Sequence, residues 1–342
     1  MKPEITDPPE NRFGGANTAQ PVPFLKVLNL IFILILCIFA GIFVFRNRTE
    51  IWSLFENANI GLLLLALLLH FVFVLFQGVL GVSVLRSTGA SVSYSQGLPV
   101  FCLSLFGKYI PGKVWVVTSR TVFFARRNIR TTQVVAAAVQ EHIFVILSGL
   151  IMALVFYPAL FGKTALAASA GFLVLGAIVL VPPRKIHRLI DRVLALFRKE
   201  PLERWASRGD VLRYMFLYSA NWFILGFALV LLARSMFPPI PLNIFLPWTG
   251  LYALAVSAGF LAIFAPGGIG VREGIFFLGF STQLSTLDAG TLTIMTRVTV
   301  TLAELMVLVA TMVFASFSRE IHVQKPLSDG PVPENCKGLG HE

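Results

Sequence analysis

Apolar positions fill long, almost uninterrupted stretches of this chain, and polar residues gather between them. About 20 consecutive apolar residues cross a bilayer as a helix, whereas roughly 10 to 14 more often re-enter or lie in the interface. Six stretches reach full length: residues 24–45, 60–85, 133–157, 164–181, 211–232 and 292–317. Between them lie two composite regions, 96–124 and 247–280, where shorter apolar pieces flank Pro-Gly turns that carry charge. The first turn reads Gly107-Lys108-Tyr109-Ile110-Pro111-Gly112-Lys113, and the second Ala265-Pro266-Gly267-Gly268-Ile269-Gly270-Val271-Arg272-Glu273-Gly274. Broken backbone survives at membrane depth only where protein or a wet cavity supplies the missing hydrogen-bond partners. A matched pair of breaks, one in each half of a chain, points to a substrate site between repeats. The pattern predicts an all-α, polytopic membrane helix bundle in which each break forms a re-entrant hairpin.

Composition agrees with a membrane protein. Of 342 residues, 56% are hydrophobic and only 13% charged, and the mean hydropathy is +0.79, well above soluble domains. The formal charge is +11, and the excess belongs in loops or buried sites because a charge facing lipid is expensive. A nucleic-acid partner is excluded, since no soluble segment is long enough to form a binding domain. Cys37, Cys102 and Cys336 have neither disulfide-framework nor metal spacing. No metal or cofactor is implied. The first apolar run is too long for a signal-peptide core and reads as a retained span.

Loop charge sets orientation. Residues 183–210 hold eight Lys or Arg and are expected on the cytoplasmic side. Counting spans from there puts both termini and residues 120–130 inside, and residues 46–59 and 235–247 outside. Arg46 and Arg48 run against that pattern. The first hairpin then opens and closes on the inner side, the second on the outer side. Residues 60–157 and 211–317 thus have one order of elements in opposite orientations, an inverted repeat. Apolar residues recur at helical spacing within 183–210, as in an interfacial amphipathic helix on an anionic leaflet; a solvated connector reads the same way. The expected organisation is a disordered cytoplasmic tail (1–23), a membrane domain (24–317) and a second cytoplasmic tail (318–342).

Chemistry concentrates at the breaks. No acidic residue lies between Glu56 and Glu141, while Lys108, Lys113, Arg120, Arg126, Arg127 and Arg130 crowd one interval. Lys113 follows the first turn where a helix can restart, so its ammonium and the free N–H groups there suit a phosphate. The same cations also serve as topology signals. Glu141, inside a span beside Gln140 and His142, requires a cationic partner: one of these arginines, or Arg272. Arg297 and Glu304 stand seven apart on one helix, with Thr301 between them, and are expected to form a polar stripe facing the interior. Each is either a structural ion pair or part of a headgroup or proton-coupling site. The glycines around Arg272 and Glu273 admit close backbone approach. His70, Gln77 and Asn221 are expected to form interhelical hydrogen bonds. The first break, purely cationic, is expected to hold an anion, and the second to gate or balance it. Gly268-Ile269-Gly270 lacks the strand and βαβ unit of a dinucleotide site. No catalytic constellation is present, and the chain is expected not to be an enzyme.

Lys108, Pro111, Gly112, Lys113, Arg120 and Glu141, followed by Pro266, Gly267, Gly268, Gly270 and Glu273, resemble the lysylphosphatidylglycerol synthase transmembrane, or flippase-like, family. The resemblance covers about residues 25–317. It implies a multi-pass protein of the cell inner membrane whose partners are anionic or polyprenyl-linked lipids, with these residues forming one site from two halves. The best-understood members add a cytosolic aminoacyl-transfer domain; the short tail here implies the flippase-like module alone. The remaining expectations are an accessory subunit presenting a lipid-linked substrate to a glycosyltransferase or lipid-modifying enzyme, and a secondary transporter of a small solute.

Overall fold

The computed structural model describes residues 45–46, 48–109, 115–157, 207–237, 240–262 and 265–323. These residues are helical throughout, without strands. We label the helices α1 (Arg48–Glu56), α2 (Ile60–Ser87), α3 (Tyr94–Leu105), α4 (Trp115–Ala125), α5 (Thr131–Phe156), α6 (Arg208–Met236), α7 (Phe245–Leu261), α8 (Val271–Phe280) and α9 (Thr286–Val323). The expected spans 24–44 and 164–181, almost all of 183–210, the first tail, residues 324–342 of the second, and Pro111, Gly112 and Lys113 lie outside the described residues, whereas residues 318–323, expected in the second tail, continue α9.

Helix starts follow local chemistry. The Asn59 side chain accepts from the backbone N–H of Leu62 at 3.1 Å and starts α2. Ser207 and Asp210 cap α6 reciprocally. The loop expected over 46–59 contains α1, whose exposed Trp52 donates to Glu56 at 2.6 Å. Five helical segments are long and apolar enough to cross a membrane: α2, α5, α6, Leu242–Leu261 and Thr286–Ser316. The fourth departs from the expected symmetry of the hairpins. A tight turn at Leu242–Ile244 runs into α7, and together they make 20 residues, about 30 Å at 1.5 Å per residue. In the first hairpin, α3 has only 12 residues and α4 only 11.

The packing has an internal correspondence. Exchange α2 with α6, α3 with α7, α4 with α8 and α5 with α9, and most helix–helix contacts map onto other contacts. Thus α5 packs on α7 as α9 packs on α3, α4 on α5 as α8 on α9, and α2 crosses α6, its own counterpart. The turn after α3 (Phe106–Tyr109) touches the turn before α8 (Pro266–Gly268), so the two breaks meet. Each half admits the first arm of its hairpin at a glycine of the preceding span. A Cβ on Gly81 would lie 1.8 Å from the Phe101 ring, and one on Gly226 would lie 1.9 Å from Thr249 Oγ1. Small residues at helix crossings let backbones approach closely, which is how membrane helices gain packing contact.

Candidate functional site

Where the breaks meet, helices α2 to α9 enclose a cavity of about 260 Å³. Its charged lining, among the described residues, is Lys108, Arg120, Arg272, Glu141 and Glu304. Sites for drug-sized ligands begin near 300 Å³, so the cavity suits a headgroup, not a lipid with its chains. The rest of the lining is mainly apolar, with Gln77, His142, Tyr218, Asn221 and Tyr252 as further polar side chains.

Among the described residues, three ion pairs frame this region. Arg120 donates to Glu141 Oε2 at 2.6 Å and to Ser104 Oγ at 2.8 Å. The side chains of Arg120 and Glu141 are only 6% and 7% exposed, and the guanidinium lies 3.9 Å from the centroid of the Phe101 ring. One of the arginines expected as partners of Glu141 therefore holds it. Lys108, at the first break, pairs with Glu304 of α9. Arg297 of α9 pairs with Glu273, and Glu273 also accepts from the backbone N–H of Gly270 at 2.6 Å, capping α8.

Two of these pairs correspond across the halves with signs exchanged. In the first half the second hairpin arm carries arginine and the following span glutamate; in the second half the arm carries glutamate and the span arginine. Each pair ties a short helix of 10 or 11 residues to one long and apolar enough to cross a membrane. A buried carboxylate or guanidinium is tolerated only with such a partner.

Arg272 is different. Among the described residues it makes no ion pair, its Nε is buried without a hydrogen-bond partner, and its guanidinium sits 5.9 Å from the centroid of the Tyr252 ring. The sequence suggested that the first break would hold an anion and the second balance it. In the fold Lys108 and Arg120 are both matched by glutamates, and among the described lining residues the cation without an ion pair comes from the second break. Lys113 lies outside the described residues.

Other expected residues divide. Asn221 Nδ2 donates to Gln77 Oε1 at 3.1 Å, joining α6 to α2 as expected. His70 instead bonds the carbonyl of Ala66 one turn back in its own helix, and its Nε2 is buried without a partner among the described residues. Glu304 is buried and Arg297 half-buried, but Thr301 is exposed. At 100° per residue Thr301 lies beyond Arg297 from the buried edge of α9, so the inward stripe continues through Thr293, Thr296 and Thr311 instead. Arg126 and Arg130 are exposed after α4, and Arg127 donates to the carbonyl of Gln96.

Sequence reasoning did not single out Tyr218, Trp222, Tyr252 and Gly259, all of which line the cavity. A signal existed: Tyr218, Asn221 and Trp222 share one face of α6 at helical spacing. Among the described residues, four of the eight buried polar side-chain atoms without a partner belong to cavity-lining residues: Tyr218 Oη, Asn221 Oδ1, Tyr252 Oη and Arg272 Nε. Buried polar atoms are normally satisfied; their concentration here marks a site built for a ligand or water.

Backbone geometry at the second break is as specific as its charge. Gly268 has φ +70°, and a Cβ there would lie 2.8 Å from the Cα of Gly259 in α7. Left-handed backbone costs a non-glycine residue roughly 1–2 kcal/mol, and the contact with α7 backbone cannot relax by a rotamer change. Gly268→Ala should therefore lower the thermal midpoint in detergent by several degrees. Gly274→Ala is the control, since its Cβ meets nothing within 4 Å; equal midpoints for the two variants would refute the close approach.

These features define a multi-pass helical membrane protein with a charged cavity enclosed between two broken hairpins. The chain matches the family described as the lysylphosphatidylglycerol synthase TM region over residues 26–309, and it belongs to that family. No curated protein matches it.

Proposed function

We propose that the chain is a flippase-like translocator that carries the headgroup of an anionic or polyprenyl-linked lipid across the cell inner membrane. The observation that carries this reading is Arg272: a cation without an ion-pair partner among the described residues, facing a cavity among membrane-spanning helices. Uncompensated charge in such a place is costly and is kept where it meets a ligand or ion. The cavity is headgroup-sized, and its apolar walls are compatible with lipid chains leaving it sideways. The correspondence of the two halves supports an inverted repeat, in which rocking about the crossing of α2 and α6 would open the cavity to each leaflet in turn. The matched ion pairs would hold each hairpin to its own span while the halves move.

In proteoliposomes, a fluorescent anionic phospholipid should change leaflet several-fold faster with the protein than in empty vesicles, and Glu273→Ala should slow it. Equal rates in both vesicle types would end this reading. Retained lipid binding without movement would instead favour a subunit that presents the lipid to an enzyme. Both termini are cytoplasmic in this proposal, so a reporter fused at Arg198 should signal from the cytoplasm; a signal from the outer side would remove the inverted-repeat argument.

A further inference from the structure

We infer that the seam between the first hairpin and α9 is the contact that parts when the cavity opens, with the Lys108 and Glu304 pair as its latch and Arg272 as the partner that Glu304 takes when the latch releases. What passes through the opening rests on the translocator reading; the seam itself follows from charge and packing.

Charge singles out the latch. Arg120 with Glu141, and Arg297 with Glu273, each lie within one half and travel with it. Lys108 belongs to the first half and Glu304 to the second, so movement of one half against the other stretches this pair first. Its two members differ in what release costs them. The Lys108 side chain is 23% exposed and the Glu304 side chain 6%. A released ammonium can take up water, whereas a carboxylate left buried and unpaired is heavily penalised. Glu304 therefore needs a second cation. Arg272 lines the same cavity, makes no ion pair among the described residues, and counts Glu304 among the charges that act on it.

Packing singles out the seam. Two corresponding interfaces join the halves, α9 on α3 and α5 on α7. The second is closed by glycines at both ends. A Cβ on Gly149 of α5 would lie 2.2 Å from Ser257 Oγ, and one on Gly250 of α7 would lie 2.7 Å from the backbone N of Tyr157, just after α5. At the level of Glu304 the first interface is made differently. Cys102 of α3, Val74 of α2, and Ala303 and Val307 of α9 form a small apolar cluster apart from the main core. Membrane helices cohere through close packing, with lipid as apolar as the side chains that part. The glycine-lined contact is therefore the fixed one, and the seam of four small side chains and one ion pair is the one that moves. Cys102 is fully buried in that seam, which makes it a native reporter of opening.

The test follows the reaction of Cys102 with N-ethylmaleimide by mass spectrometry, in the full-length chain in proteoliposomes with Cys37→Ser and Cys336→Ser as background. A buried thiol is reached in proportion to the population of the opened state, so Lys108→Met should speed labelling by about ten-fold or more. The reversed pair, Lys108→Glu/Glu304→Lys, should return it towards the background rate. Arg272→Gln should slow it below background, because the open state loses the counter-ion of Glu304. The control is Ser257→Cys with Cys102→Ala, on the α5–α7 contact. Ser257 Oγ has no hydrogen bond to lose, and the thiol placed there should stay protected when Lys108→Met is added. Unchanged labelling of Cys102 in Lys108→Met overturns the latch, and labelling in Arg272→Gln at or above background overturns the exchange of partners. Equal acceleration at both positions overturns the seam, since the whole fold has then loosened. The two claims separate cleanly. Labelling as expected in a protein that moves lipid no faster than empty vesicles keeps the latch and removes the translocator; lipid movement with Cys102 equally protected throughout does the reverse.

Discussion

Arg272→Gln should bring leaflet exchange of anionic lipid down to near the rate of protein-free vesicles, while the purified variant stays folded and melts at or slightly above the wild-type temperature. The two halves of this expectation share one cause. Among the described residues Arg272 has no ion-pair partner, and its Nε is buried without a hydrogen bond, so in the empty protein the charge lacks a directly paired counter-ion. Removing it relieves a cost. With an anion bound, the same guanidinium supplies charge-assisted hydrogen bonds worth about 1.5–3 kcal/mol, or roughly ten- to 150-fold in affinity at 1.4 kcal/mol per decade. Leaflet exchange in proteoliposomes and thermal unfolding in detergent read the two quantities separately. Unchanged exchange would remove Arg272 from the site. A large loss of thermal stability would mean that the arginine is a structural cation.

The opposite signature is expected at Arg120 and Glu141. Both side chains are nearly buried, and the guanidinium is held by the carboxylate, Ser104 Oγ and the Phe101 ring. Removing one member strands the other charge, which costs about 3–5 kcal/mol when a buried pair is broken. Glu141→Leu and Arg120→Met should each lower the thermal midpoint sharply and reduce the yield of folded protein. The double variant should recover most of the loss, because an apolar pair of similar volume removes both desolvation penalties at once. A double-mutant cycle on thermal stability measures this coupling. Additive losses would show that the two groups do not depend on each other. If the double variant also regains leaflet exchange, the pair serves only to fasten α4 to α5; if it is stable but inactive, one member also meets the ligand.

Much of the architecture could be read before folding. The spans at α2, α5, α6 and α9 follow from runs of apolar residues, because the hydrocarbon thickness sets a minimum length that a local count detects. The breaks follow from proline and glycine, whose backbone constraints act on their immediate neighbours. The length of α7 was underestimated because Pro247 near its start reads as an interruption. In the structure it lies in the first turn of the helix, where proline has no N–H to lose. Asn221 and Gln77 could each be expected to bond across an interface, because polar side chains in a span seek partners on neighbouring helices; that they bond each other is set by the fold.

The sequence by itself determined the helices, the breaks and the set of charges buried with them, since each depends on residues adjacent in the chain. Only the tertiary structure decided which charges cancel. Lys108 meets a glutamate 196 residues away, and Glu273 meets Arg297 across two helices. Arg272, next in sequence to Glu273, turns instead to Tyr252 and the cavity. Coulomb interaction depends on distance in space and on the local dielectric, and neither exists until the two halves close on one another; the unmatched cation, which carries the functional reading, is therefore a property of the fold.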